Sequence, residues 1–207
     1  MDDVLTLAQW LSPAYPVGAF AYAHGLEQAV ADGFVSDAAT LEAWLRDVLE
    51  HGGGWSDAVL LAAAWRGDAQ AYEVARAFAS GEGRLIETLE QGTAFARVTG
   101  AVWGTDDAQL PMPVALGQAA AARAIPLDLT LAMYLQSMLT NLVSAAQRLA
   151  PVGQTEAQGI VRRLTSVARD VAERAEDSTL EDLSSVAWLS DIAAMRHEMK
   201  SVKVFRT

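Results

Sequence analysis

From Pro126 to Leu149 the chain reads as one long helix, and no other segment narrows the choice of fold as far. Proline suits the first helical position, where no backbone N–H is needed. Leu127, Leu131, Tyr134, Leu135, Met138, Leu139, Leu142, Ala145, Ala146 and Leu149 follow at steps of three and four. They draw one apolar stripe over roughly six turns. Between Asp128 and Arg148 the opposite face carries no charge either. A helix with one apolar and one neutral face predicts cover on both sides, the place of a central helix in a bundle. Gln136, Thr140, Asn141 and Ser144 make the segment too polar for a membrane span.

The remaining elements follow the same logic. Leu41, Trp44, Leu45, Val48 and Leu49 form a stripe, with Glu42 and Arg46 four apart on the solvent side. That helix is expected to stop at Gly52-Gly53-Gly54. Further helices are expected over 57–65, 68–79 and 84–98, then a polar loop over 104–109 in which Asp106-Asp107 is solvated. Pro111-Met112-Pro113 opens another helix reaching Arg123. Thr155-Glu156-Ala157-Gln158 and Ser178-Thr179-Leu180-Glu181 read as capping boxes, the second opening a short helix toward Trp188. Hydrophobic residues make up 52% of the 207 and strand-forming runs are missing, so the class is all-α. The expected architecture is a single-domain bundle of about eight to ten helices over residues 1–195. Residues 196–207 form a basic tail.

The composition excludes several functions. A formal charge of −11 opposes binding to nucleic acid or to anionic lipid. With no cysteine there is no disulfide framework, zinc ribbon or thiol nucleophile. The GxxxxGK[ST], GxGxxG and GxSxG patterns are all missing. The start, Met1-Asp2-Asp3-Val4, is acidic where a signal peptide is basic, so a cytoplasmic protein is expected. The three histidines, His24, His51 and His197, lie far apart, and a metal site needs the fold to bring them to carboxylates. Acids such as Glu42, Asp47, Asp170 and Glu173 fall on polar faces, which disfavours a helical metal-dependent enzyme. That enzyme and a plain helical adapter remain the alternatives to a non-catalytic docking protein.

Three segments depart from ordinary core. Residues 11–27 carry Tyr15, Phe20 and Tyr22 on a loop stiffened by Pro13, Pro16 and Gly18, and stiff aromatic loops cost little entropy to dock. Arg148 closes the uncharged helix, where a cation is favoured, before Pro151 and Gly153 force a turn. The tail, Arg196 to Thr207, is basic in an acidic chain, and Phe205 between cations reads as an anchor.

These segments resemble the UreF urease accessory proteins. Ser12-Pro13-Ala14-Tyr15-Pro16-Val17-Gly18-Ala19-Phe20 with Gly25-Leu26-Glu27 is similar to their N-terminal signature. Arg148-Leu149-Ala150-Pro151-Val152-Gly153-Gln154-Thr155 resembles their (K/R)LxPxGQ corner, and Met195-Arg196-His197-Glu198 with Phe205-Arg206-Thr207 their tail. Gly92 to Arg97 and Pro113 to Gly117 add weaker matches. The resemblance implies an all-helical homodimer that binds a UreD/UreH-type accessory protein. Together they recruit the GTPase UreG and engage apo-urease for nickel insertion. It implies no enzyme activity and no tightly bound cofactor, nickel being handled by the complex. Carried onto this sequence, Glu27 and Arg148 face the GTPase. Arg196, His197, Glu198, Phe205 and Arg206 meet the UreD/UreH-type partner, the tail gaining order as it docks. Pro16, Gly18, Phe20 and Tyr22 form an interface loop, and His24 or His197 is the candidate nickel contact. One departure stands out: the family's tail tyrosine is replaced by Ser201, so either the tail's partner carries compensating changes or Phe205 alone is the anchor.

Overall fold

The computed structural model describes residues 1–105 and 108–207, so the expectation for Asp106-Asp107 falls outside the described residues. These residues form ten α-helices and no strand: α1 (Asp2–Trp10), α2 (Leu26–Ala31), α3 (Ala38–His51), α4 (Gly53–Trp65), α5 (Ala71–Ala77), α6 (Glu82–Trp103), α7 (Met112–Ala122), α8 (Leu127–Leu149), α9 (Gln154–Glu176) and α10 (Trp188–Glu198). Two 3-10 turns, Ala19–Ala21 and Leu180–Asp182, complete them. The all-α expectation holds. No described helix is long and apolar enough to cross a membrane.

The centre of the bundle is α4, not α8. Every residue from Gly54 to Ala64 is buried, and the alanine-rich surfaces of α4 and α7 lie side by side. α8 packs its apolar stripe against α9, but Thr140 and Ser144 on its neutral side are exposed. The expected cover on both sides is therefore absent within one chain. α1 is pinned to α6 by Trp10, whose ring meets Phe95 at 5.4 Å and Trp103 at 5.6 Å, both edge-on.

Other boundaries move for identifiable reasons. The three glycines do not separate two helices by a loop; α4 begins at Gly53, straight after α3. A Cβ on Gly54 would lie 2.7 Å from the Leu49 Cα, so glycine permits this close corner. α5 is shorter than expected because Asp68 spends its carboxylate on the Gln70 N–H in a turn. α6 runs longer, to Trp103, and ends on Gly104 in the left-handed conformation. α9 starts one residue before Thr155: Glu156, not Gln158, reaches back, to the Gly153 N–H at 3.2 Å. The second box closes between Thr179 and Asp182 but opens only a 3-10 turn. Trp55 donates to the Asp182 carbonyl and Val186 to the His51 carbonyl, so this backbone is tied to α3 and α4 instead of continuing as a helix.

Candidate functional site

The basic tail folds back onto its own chain. α10 lies against α2 and α6, and its approach to α2 is close. Gly25, just before α2, has φ +75°, and a Cβ there would sit 2.6 Å from the Ala194 amide nitrogen. Only glycine meets both conditions. That approach brings Glu27, in the first turn of α2, under the tail, where it is buried. Its Oε2 accepts from the Val204 N–H at 2.9 Å and the Phe205 N–H at 2.8 Å, and lies 3.1 Å from His197 Nε2. Its Oε1 accepts from Lys200 Nζ at 3.0 Å. Burial pushes the carboxyl up, but the Phe205 amide, Lys200, His197 and the Val204 amide outweigh it and hold the pKa down to about 2.

Phe205 is 2% exposed and belongs to the hydrophobic core. The Arg148 guanidinium stacks 4.3 Å from its ring centroid and donates to the Phe20 carbonyl at 3.0 Å. Glu27 and Arg148, expected on one GTPase-facing surface, therefore meet at Phe205, one on its main chain and one on its ring. Beyond Phe205 the tail runs alongside residues 21–23. Arg206 N–H donates to the Ala21 carbonyl at 2.8 Å and Ala23 N–H to the Thr207 carbonyl at 3.1 Å. The Arg206 guanidinium engages Glu90, which also accepts from the buried Tyr22 hydroxyl. Arg196 pairs with Asp32 at 3.1 Å, and Glu198 accepts from the Gly83 N–H at 2.8 Å. His197 is fully buried, and its Nδ1 has no partner among the described residues.

The expected interface loop divides. Tyr15 and Tyr22 turn inward, whereas Pro16 is exposed and Phe20 is 64% exposed. Gly18 supplies a left-handed turn at φ +73°. α8 holds this loop through Asn141, which donates to the Ala19 carbonyl, and Ser137, which donates to that of Leu11.

A second polar centre escaped the sequence analysis. Arg84 of α6 bridges Glu87 at 2.7 Å and Asp57 of α4 at 3.5 Å, and Tyr134 of α8 donates to Asp57 at 2.7 Å. His24 Nε2 lies 3.0 Å from both Glu87 and Arg84 Nη1, and its tautomer decides which it engages. Thr207 donates its hydroxyl to Glu87 at 2.9 Å. Glu87 is held at about 2: burial raises it, and Arg84 and His24 more than reverse that. The group forms the floor of a cavity of ≈ 440 Å³ with apolar walls that include Leu11, Met133 and Met138. Two carboxylates do converge here, but the Arg84 guanidinium occupies the position between them that a bound cation would take. Among the described residues no three His, Cys, Asp or Glu side chains assemble as metal ligands, and His24 and His197 each face a different glutamate. Asp57 could have been noticed as the single charge in the apolar run from Gly53 to Trp65. Arg84 and Glu87 are three apart on one helix, a spacing too common to single them out.

Known proteins match this chain along its whole length. A profile of the UreF family covers residues 35–165. The urease accessory protein UreF of Roseobacter denitrificans is 50% identical over 100% of this chain and 95% of its own length. That of Ruegeria pomeroyi is 48% identical over 99% and 97%, and the urease accessory protein UreF 1 of Brucella anthropi 42% over 99% and 94%.

Proposed function

The chain belongs to the UreF family of urease accessory proteins, and from that premise we propose that it is the scaffold on which a nickel-insertion complex for apo-urease assembles. Its role in urease maturation is that of an accessory, chaperone-type protein and not of an enzyme. The UreD/UreH-type partner docks on α10 and the tail. The UreG-type GTPase is recruited on the side of Arg148 and Phe20. One observation carries this reading: Glu27, Arg148 and Phe205, three residues from the three family-like segments, converge on one another in space. Arg148→Glu is expected to weaken capture of the GTPase while the melting temperature stays within a few degrees; unchanged capture would sink the assignment.

The homodimer forms through the neutral side of α8. That surface supports the reading because it exposes Thr140 and Ser144 without a charge from Leu129 to Gln147, in a chain of net −11. A charge-free face meets its own copy without like-charge repulsion. Thr140→Glu with Ser144→Glu should convert dimer to monomer in sedimentation. Nickel passes through the assembled complex in the cytoplasm and is not held tightly by one subunit, since His24 and His197 already bond to Glu87 and Glu27. Titration of the isolated chain with nickel tests this; a tight stoichiometric site would contradict it.

A further inference from the structure

Asp57 is the charge that the buried polar centre leaves half used. Both basic groups there, Arg84 at 2.7 Å and His24 at 3.0 Å, close on Glu87, which also takes Gln91 and Thr207. Asp57 keeps the Tyr134 hydroxyl and a longer 3.5 Å contact to Arg84, and both reach the same oxygen, Oδ2. Its Oδ1 accepts no hydrogen bond among the described residues, yet it is not one of the polar atoms sealed from solvent. The residue is 7% exposed and lines two cavities, so that oxygen opens onto enclosed space and not onto the outer surface. A buried carboxylate in that position calls for a donor, and a cationic one most of all.

The cavities set what such a donor can be attached to. The smaller, ≈ 50 Å³ beside Ser80 and Asp191, has room for a few waters. The larger, ≈ 440 Å³, is the size of a small-molecule site, walled by Leu11, Val17, Met112, Met133, Met138 and Leu142. Three of the chain's six methionines are gathered on this one void. Methionine adapts to irregular shapes, and its sulfur packs well against aromatic rings. Arg84 fills the gap between Asp57 and Glu87, which excludes a cation seated between them but leaves the far oxygen of Asp57 clear. An anionic guest would face both carboxylates against one guanidinium already bonded to them. The exposed lining residues Phe20, Thr140 and Ser144 mark the mouth, on the side assigned to the homodimer, so a second copy is the competing occupant.

We propose that the larger cavity is a binding site for a small organic cation, an ammonium group on an aromatic body. The ammonium donates to Asp57 Oδ1 and the ring lies among Met112, Met133 and Met138. Asp57 sorts guests by charge, and the apolar walls sort them by shape. The site is separate from the assembly role and stands or falls without it.

The full chain with methyl-labelled methionine, titrated in turn with phenethylammonium, phenethyl alcohol and hydrocinnamate and read by NMR, tests the assignment. Phenethylammonium should shift the Met112, Met133 and Met138 signals saturably and leave Met195 and Met199 still. Its affinity should exceed that of the alcohol at least about 10-fold, the least that a charge-assisted hydrogen bond supplies, and hydrocinnamate should not bind. Equal affinity for the alcohol would show a void that sorts by shape alone and overturn the proposal. No saturable shift, or movement confined to Met195 and Met199, would do the same. Folded Asp57→Asn should bind cation and alcohol alike; a retained preference for the cation removes Asp57 from the site. If that variant does not fold, the comparison of the three guests on the unmodified chain decides. Met138→Trp, which fills the cavity from a partly buried position, should then abolish the shifts at Met112 and Met133. Saturation seen only in the variant carrying Thr140→Glu with Ser144→Glu would show the cavity to be filled by a second copy, against the proposal.

Discussion

Glu27 and Glu87 are both buried glutamates held at a pKa of about 2, yet they reach that state by opposite means. Glu27 is served by two main-chain N–H groups together with Lys200 and His197, all from a segment far along the chain, Glu87 chiefly by the guanidinium and imidazole beside it. The first arrangement fixes the course of a backbone, and all its partner groups belong to one C-terminal segment. The second locks three helices, because Arg84 also holds Asp57 of α4, which in turn holds Tyr134 of α8. A carboxylate that clamps the end of the chain shapes a surface; one clamped by buried side chains builds the frame.

The contrast predicts unequal losses. Arg84→Met should cost the most, about 3–5 kcal/mol in urea unfolding, since it strands two buried carboxylates. A loss below about 1 kcal/mol would show that Asp57 and Glu87 are not dependent on it. Phe205→Ala should come next. The core loses a buried ring worth about 3–5 kcal/mol if the site stays folded, but detachment of the tail caps the loss nearer 2. The signature is accelerated proteolysis within 196–207 ahead of global unfolding, and simultaneous cleavage throughout would erase the distinction between the two regions.

Acid separates them further. Both folded carboxyls lie below the ordinary value of 4.5, so the unfolded chain binds more protons as the pH falls from there toward 2. The stabilisation is complete above 4.5 and disappears through that window. Tail amides 204–205 should lose protection before the α4 amides do, followed by hydrogen exchange at stepped pH; simultaneous loss would merge the two regions into one cooperative unit. The smallest effect belongs to Arg148→Ala, which removes an exposed cation from the Phe205 ring at about 0.5–1 kcal/mol. A larger drop in the denaturation midpoint would move Arg148 from the surface into the frame.

Much of the bundle was legible in advance because period and punctuation are local. The stripe from Leu127 to Leu149 gave α8 within one residue, and Pro111-Met112-Pro113 marked the start of α7. Errors arose where a distant group competed for the backbone. The stretch 182–186 looked ready for a helix but was claimed by Trp55 and His51. The loop of 11–27 and the basic tail were visible as unusual segments, though not as neighbours. Phe205 was expected to reach outward because its flanking cations suggested an exposed anchor; burial against Arg148 reversed its direction.

Residue order alone determined the helical class, the charge-free side of α8, the lack of thiol chemistry and the family resemblance, since each depends on residue type and short spacing. The tertiary fold decided which groups meet. Glu27 finds Val204 and Phe205 across separations of 177 and 178 residues, and Asp57 finds Tyr134 across 77. A carboxylate's effect is set by what lies within about 3 Å of it, and that neighbourhood exists only once the helices have packed.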